Sequence, residues 1–179
     1  ILYANYDYCI IFKCFIPLKW KQYGTVQLVI RGTIMINTVL IIDDNALDNA
    51  VLRNYLYNAR LNLLSALNGR EALDMLEGRN VDVIVLDLVM PVMDGLDFLK
   101  EFKKTCYYNT IPVIITTSLD SEETIRSVVT EYEVFDYIIK PLDQINRMIL
   151  INKIRTAIRY RNALKELFSF RRQREEDGN

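Results

Sequence analysis

The sequence predicts an α/β fold, a three-layer (βα)5 sandwich built on a parallel five-stranded sheet. Three observations carry this expectation. From Thr38 onward, short apolar runs alternate with segments of helical period. The runs are nearly all apolar rather than alternating, as expected of parallel strands covered on both faces. Four of them deliver polar residues at their C-terminal ends: Val39–Ile42 ends in Asp43 and Asp44, Val83–Leu86 in Asp87, Val113–Ile115 in Thr116 and Thr117, and Tyr137–Ile139 in Lys140 and Pro141. In a parallel sheet those ends share one edge, where open α/β folds bind ligands.

The elements follow in order. A strand over 38–42 precedes a helix near 46–58, whose Leu47, Val51, Leu52, Tyr55 and Leu56 form a broad apolar stripe. A strand over 62–67 and a helix over 70–77 follow. The strand over 82–86 leads through Pro91 and Gly95 to a helix over 95–105, where Leu96, Leu99 and Phe102 recur at helical spacing. A strand over 111–116 precedes a helix over 121–131, for which Ser121 is a weak cap signal. The last strand, 135–139, leads to a long helix from about residue 142. Its stripe, Ile151, Ile154, Ile158, Leu164, Leu167 and Phe168, is imperfect but continues past the expected domain end. It fits either a fraying, solvated linker or a stalk that pairs with a second copy.

Three regions are expected: an N-terminal extension over 1–34, a domain over 35–158, and a basic helical extension with a disordered tail over 159–179. Ile1 to Gly32 is aromatic-rich, and Val26–Ile30 could form a short strand. Glu175–Asn179 has the composition of a disordered end. Charge is divided unevenly. Residues 37–140 hold 17 acidic against 9 basic side chains, whereas 141–174 hold 9 basic against 2 acidic.

Composition also excludes function classes. The chain has no histidine, so histidine-dependent triads, histidine-ligated zinc and a phosphohistidine on this chain are ruled out. Cys9, Cys14 and Cys106 lack metal-site spacing, and a reduced, cytoplasmic setting is the default expectation. The apolar stretch Cys9–Leu18 is interrupted by Lys13 and is far shorter than a membrane span, and it is not a secretory signal by its flanks. About twenty residues follow the expected domain end, too few for a helix-turn-helix reader, so specific nucleic-acid binding is not expected.

Asp43, Asp44, Asp87, Thr117 and Lys140 together make a chemical pattern: three carboxylates, a hydroxyl and an ammonium on one predicted edge suit a divalent cation and a transferable phosphoryl group. Each has a plainer reading alone. An Asp-Asp pair after a strand is often a helix cap, Thr117 a β-branched strand residue, and Lys140 a surface lysine before a turn. Their convergence on one edge favours the chemical reading. Carboxylates so placed disfavour one another's ionised forms and create a negative pocket that a cation neutralises.

Taken in order, Asp43-Asp44, Asp87, Met90-Pro91-x-Met93-Asp94-Gly95, Ile111-Pro112-Val113-Ile114-x-x-Thr117-Ser118 and Asp136-Tyr137-Ile138-x-Lys140-Pro141 resemble the receiver domain of two-component response regulators. Asn68–Leu73 resembles that family's second strand–helix junction. The resemblance covers about Met35 to Ile158. It implies a flavodoxin-like sheet of order 2-1-3-4-5 and phosphoryl transfer to Asp87 from a histidine kinase or a histidine phosphotransfer protein. It implies Mg²⁺ (or Mn²⁺), bound directly by Asp44, through water by Asp43, and by Asp87 and the backbone carbonyl of Val89. Lys140 and Thr117 would hold phosphoryl oxygens, and small Ser118 would leave the site open. Thr117 and Tyr137 would form a switch that alters the surface of the fourth helix, fifth strand and fifth helix, a face through which a homodimer could form.

The family usually has Gly-Ala before the Asp-Tyr pair, where this chain has Glu133-Val134-Phe135. Without that glycine the helix end lacks an easy route to positive φ. Thr116 stands where an apolar residue is common and is expected to point away from the site. Two other classes compete: a Mg²⁺-dependent hydrolase with an aspartyl nucleophile, which lacks support because no Asp-x-Asp pattern surrounds Asp87, and an unphosphorylated interaction module. Limited self-phosphorylation and slow dephosphorylation, rather than turnover of a metabolite, is the expected chemistry.

Overall fold

The computed structural model describes residues 36–56, 61–118 and 121–177. The expectations for residues 1–34 lie outside them. Five strands alternate with five helices: β1 (Thr38–Ile42), α1 (Ala46–Leu56), β2 (Asn62–Ala66), α2 (Gly69–Gly78), β3 (Val83–Asp87), α3 (Gly95–Phe102), β4 (Val113–Thr117), α4 (Glu122–Tyr132), β5 (Asp136–Ile139) and α5 (Gln144–Asp177). The strands form one sheet in the order β2-β1-β3-β4-β5, and every pairing is parallel.

The period of two along the central strands divides the interior into two cores. Leu40, Ile42, Ile84, Leu86 and Ile115 face one side, against Ala72, Leu76, Phe98, Leu99, Phe102 and Val128 of α2, α3 and α4. Val39, Ile41, Val83, Val85 and Ile114 face the other, against Leu52 and Leu56 of α1 and Leu150, Ile154 and Ala157 of α5. Burial on both faces explains the unbroken apolar runs. Thr116, paired with Asp87 in register, is buried, as is its neighbour Thr117.

Helix boundaries follow local chemistry. The Asn68 side chain accepts from the Glu71 N–H at 3.0 Å, and Asp94 accepts from Asp97 N–H at 2.8 Å, capping α2 and α3. Ser121 does the same for α4, accepting from Thr124 N–H at 3.4 Å. At the other end of α4, Glu133 adopts φ 45° and ψ 41°, the left-handed conformation usually given to glycine. The turn before β5 thus forms without the glycine, at a backbone cost of roughly 1–2 kcal/mol.

Two expectations change. Leu47 is 76% exposed and does not join the buried face of α1, because at roughly 100° per residue it falls on the side opposite Leu56 and far from Leu52, both of which are buried. Helix α5 runs through Asp177, so Glu175–Asp177 continue the helix where composition suggests a disordered tail. Its stripe is also phased differently. Leu150, Ile154 and Ala157 meet the sheet, Ile151 and Ile158 flank them, and Leu167, Phe168 and Phe170 are exposed. Past the core, α5 is tied down by polar contacts. Lys165 pairs with buried Asp82, which also accepts from Thr38 N–H at 2.9 Å, and Asn37 donates to Asn162 at 3.1 Å. No helix among the described residues is long and apolar enough to cross a membrane.

Candidate functional site

The strand ends carry the predicted residues to one edge. Asp43 and Asp44 follow β1, Asp87 is the last residue of β3, Thr117 the last of β4, and Lys140 follows β5. Carboxylate oxygens of Asp43, Asp44 and Asp87 lie within 4.8 Å of one another. Asp43 and Asp87 are buried and Asp44 is exposed, so the cluster opens to solvent on the Asp44 side. Lys140 Nζ donates to Asp87 Oδ2 at 2.6 Å and to Asp43 Oδ2 at 2.9 Å.

Short local bonds aim these groups. The capping alternative for the Asp-Asp pair does not hold: the Asn45 side chain accepts from Leu47 N–H at 3.0 Å at the start of α1, while Asp43 Oδ1 accepts from Asn45 N–H at 2.8 Å. Asp87 Oδ1 accepts from Val89 N–H at 3.0 Å, which folds the chain back over the strand end. Lys140 N–H donates to the Thr117 carbonyl at 2.7 Å, fixing the lysine at the end of β5, and its peptide bond to Pro141 is cis.

The electrostatics follow from burial and proximity. Burial pushes the Asp43 carboxyl above its ordinary value, and the hydrogen bonds from Lys140 and Asn45 offset only part of that. Burial works against the charge of Lys140, but the hydrogen bonds to Asp87 and Asp43 outweigh it and hold the ammonium above its usual range. The lysine is therefore protonated at any physiological pH. It neutralises part of a crowded negative cluster, and its flexible stem leaves the ammonium able to move to another anion.

The donor set fits a divalent cation. Three carboxylates converge, all ligands are oxygens, and the exposed side leaves room for water, as a hard cation such as Mg²⁺ demands. Thr117 is fully buried behind the cluster and Ser118 is exposed beside it. Tyr137 is 42% exposed on β5 and borders a narrow cleft with Thr117, Leu88, Ile125, Val128 and Val129. Thr117 and Tyr137 thus share one cleft between the sheet and α4.

Three further residues shape the site: Gly95, which the Met90–Gly95 motif already contains, and Val92 and Asn49, which no sequence signal singles out. Gly95 opens α3 so close to the Asp87 loop that an added Cβ would stand 2.4 Å from the Asp87 carbonyl oxygen and 2.7 Å from Leu88 Cα. Val92 has φ 71°, and Met93 N–H donates to the Pro91 carbonyl at 2.9 Å around it, a tight γ-turn at the tip of the loop. Asn49 of α1 is buried and donates to the Asp43 carbonyl at 2.9 Å, bracing the acidic turn from behind. Loop tightness and backbone approach are set by neighbours distant in sequence, so residue type alone does not reveal them.

The chain is similar to known proteins in sequence and in fold. A family model described as the response regulator receiver domain matches residues 39–152. The two-component response regulator ORR3 of Oryza sativa subsp. indica is 32% identical over 117 residues, covering 65% of this chain and 88% of its own. The transcriptional regulatory protein CpxR of Escherichia coli K12 is 32% identical over 123 residues, covering 69% of this chain but half of CpxR. Among solved structures, the chemotaxis response regulator CheY4 of Vibrio cholerae aligns with a TM-score of 0.60 at 25% identity, over 66% of this chain and 98% of CheY4.

Proposed function

We propose, since this chain belongs to the response regulator receiver domain family, that Asp87 is the residue on which it accepts a phosphoryl group and that Lys140, Thr117 and Tyr137 turn this event into a change of surface. The observation that carries the reading is the convergence of Asp43, Asp44 and Asp87 with Lys140 bridging two of them.

A carboxylate oxygen of Asp87 forms the bond to phosphorus as the bond from phosphorus to the donor breaks. The donor class that membership of this family implies is a phosphohistidine of a partner kinase or phosphotransfer protein. Asp43, Asp44, Asp87 and the Val89 carbonyl hold Mg²⁺ (or Mn²⁺), which supplies charge neutralisation between two anionic reactants. Lys140 exchanges its contact with Asp87 for a phosphoryl oxygen, keeping its positive charge at the point where negative charge accumulates. Ser118 leaves the approach open.

Thr117 supplies a hydroxyl to a second phosphoryl oxygen. Its shift makes room in the shared cleft, and the half-exposed ring of Tyr137 packs inward. This is a two-state element biased by a local charge event. The face altered is that of α4, β5 and α5, through which a second copy of the chain docks. That face carries exposed Val129, Tyr137, Ile139 and Met148.

The test is mass measurement after treatment with a small phosphodonor and Mg²⁺. Wild-type protein is expected to gain one phosphoryl group and Asp87→Asn none. Equal labelling of the variant removes Asp87 as acceptor. Tyr137→Ala is expected to keep labelling but lose the phosphorylation-dependent change in size or partner affinity.

A further inference from the structure

Helix α5 presents two faces. Leu150, Ile154 and Ala157 are fully buried against the sheet. Counted at roughly 100° per residue, a second row lies about 130° round the helix from them, and its members are all exposed. The row starts at Ile145 and Ile149 and finishes with Tyr160, Ala163, Leu167 and Phe170. Asn152 and Thr156 fill the interval. Lys165 and Asn162, which bind Asp82 and Asn37, sit on the domain side of the helix and so turn this row outward.

The row is narrow. It keeps within an arc of roughly 80°, less than a helix lays on a sheet or on a lipid surface, and the width of a seam between two helices. Its members follow one another at steps of four and three residues, with a repeated four from Asn152 through Thr156 to Tyr160. Such an inserted step locally unwinds a helix pair without ending its seam. From Ile145 to Phe170 the row is about 40 Å long, at the rise of an α-helix.

The chemistry along the row selects a second copy of the same helix. Thr156 Oγ1 donates to the Asn152 carbonyl at 3.0 Å, so that hydroxyl is satisfied within its own helix. The Asn152 side-chain amide both donates and accepts, so its own copy across a two-fold axis can answer it where an apolar surface cannot. Glu166 and Arg171 are exposed on opposite flanks of the row, five residues apart. At that spacing the flanking charges of two parallel helices meet across the seam. Antiparallel overlap of the whole helix instead sets Ile149 level with the turn of Arg171 and Arg174 and carries Asn152 away from its counterpart. The row ends at exposed Arg174, where two parallel copies bring like charges together.

We propose that a second copy of the chain packs parallel to the first along this row, α5 against α5, with Asn152 facing Asn152 and Glu166 paired with Arg171 across the seam. This pairing differs from docking through α4 and β5 in needing no phosphoryl group on Asp87. It makes the part of α5 beyond Ile158 one arm of a two-helix stalk.

Sedimentation equilibrium of the full, unphosphorylated chain at micromolar concentration is expected to give a dimer, and Asp87→Asn the same dimer. Leu167→Glu, at an exposed position in the row, is expected to give a monomer with an unchanged circular dichroism spectrum. Phe168→Glu, exposed on the same turn but outside the row, is expected to keep the dimer. Glu166→Arg is expected to weaken pairing about fivefold, the scale of two exposed ion pairs, and Glu166→Arg combined with Arg171→Glu to restore it. A monomeric unphosphorylated wild type overturns the proposal. So does a dimer that Leu167→Glu leaves intact, or one that Phe168→Glu dissolves equally. Failure of the double exchange to restore pairing overturns the parallel arrangement. Dimers that appear only after phosphodonor treatment belong to the α4 and β5 face and overturn it too.

Discussion

Lys140 Nζ stands 2.6 Å from Asp87 Oδ2, joining the end of β5 to the end of β3 across β4. Both side chains are largely buried, at 14% and 6% exposure. An ammonium and a carboxylate so enclosed depend on each other, and Asp43 shares the same ammonium at 2.9 Å.

Replacing Lys140 by Met leaves two buried carboxylates facing each other. Removing one partner of such a pair costs about 3 kcal/mol. Urea unfolding of Lys140→Met at neutral pH in chelator is expected to show a loss of that order. Millimolar Mg²⁺ is expected to restore more stability to the variant than to wild type. Phosphodonor labelling should slow about a hundredfold, the scale of one lost charge-stabilising donor. Unchanged labelling would remove Lys140 from the chemistry.

Gly95→Ala places a Cβ against backbone atoms of Asp87 and Leu88 that have no free rotation with which to yield. A loss of about 2 kcal/mol is expected, as for other overpacked sites, together with slower labelling because Asp87 moves with its carbonyl. Gly78→Ala is the control. Its Cβ would meet nothing within 4 Å, and a small gain in stability is expected. Equal behaviour of the two variants would show that close approach at Gly95 does not matter.

Val92→Gly is expected to stabilise the fold. Valine is β-branched, 88% exposed and held at φ 71°, so it suffers backbone strain and buries almost nothing in return. Relief of up to about 1 kcal/mol, or a thermal midpoint higher by about 3 °C, should appear in calorimetry. A lower midpoint would mean that the turn gains from the side chain.

Alkaline pH should unfold the domain early. Lys140, Tyr108 and Tyr132 all have folded values above their ordinary 10.5, 10.0 and 10.0, the lysine through its carboxylate partners and the tyrosines chiefly through burial. In each case the folded state holds its proton more tightly than the unfolded chain. Stability from these groups is therefore complete below pH 10 and is lost as pH rises beyond it. Urea midpoints are expected to be level to about pH 9.5 and to fall steeply above. Lys140→Met should lessen the fall, and a profile unchanged in that variant would contradict the shift in the lysine.

Sequence alone determined the alternation of strands and helices, since burial on two faces demands apolar runs and burial on one demands a helical stripe. It also determined which residues reach the rim, because Asp43, Asp87, Thr117 and Lys140 each close an apolar run. The Ser121 cap was legible because it follows from local chemistry. Tertiary structure decided what local pattern cannot encode. Leu47 has the right residue type but lies on the side of α1 turned away from buried Leu52 and Leu56, and Leu167 and Phe168 of the distal α5 stripe are exposed while Lys165 and Asp82 hold the helix in place. The bridge from Lys140 to Asp43 and Asp87 spans residues 97 and 53 positions apart, and its geometry exists only once strand order and twist are fixed. Strain is likewise a property of the assembled chain: Val92 and Glu133 take positive φ because the segments on either side are anchored by packing stronger than the local preference.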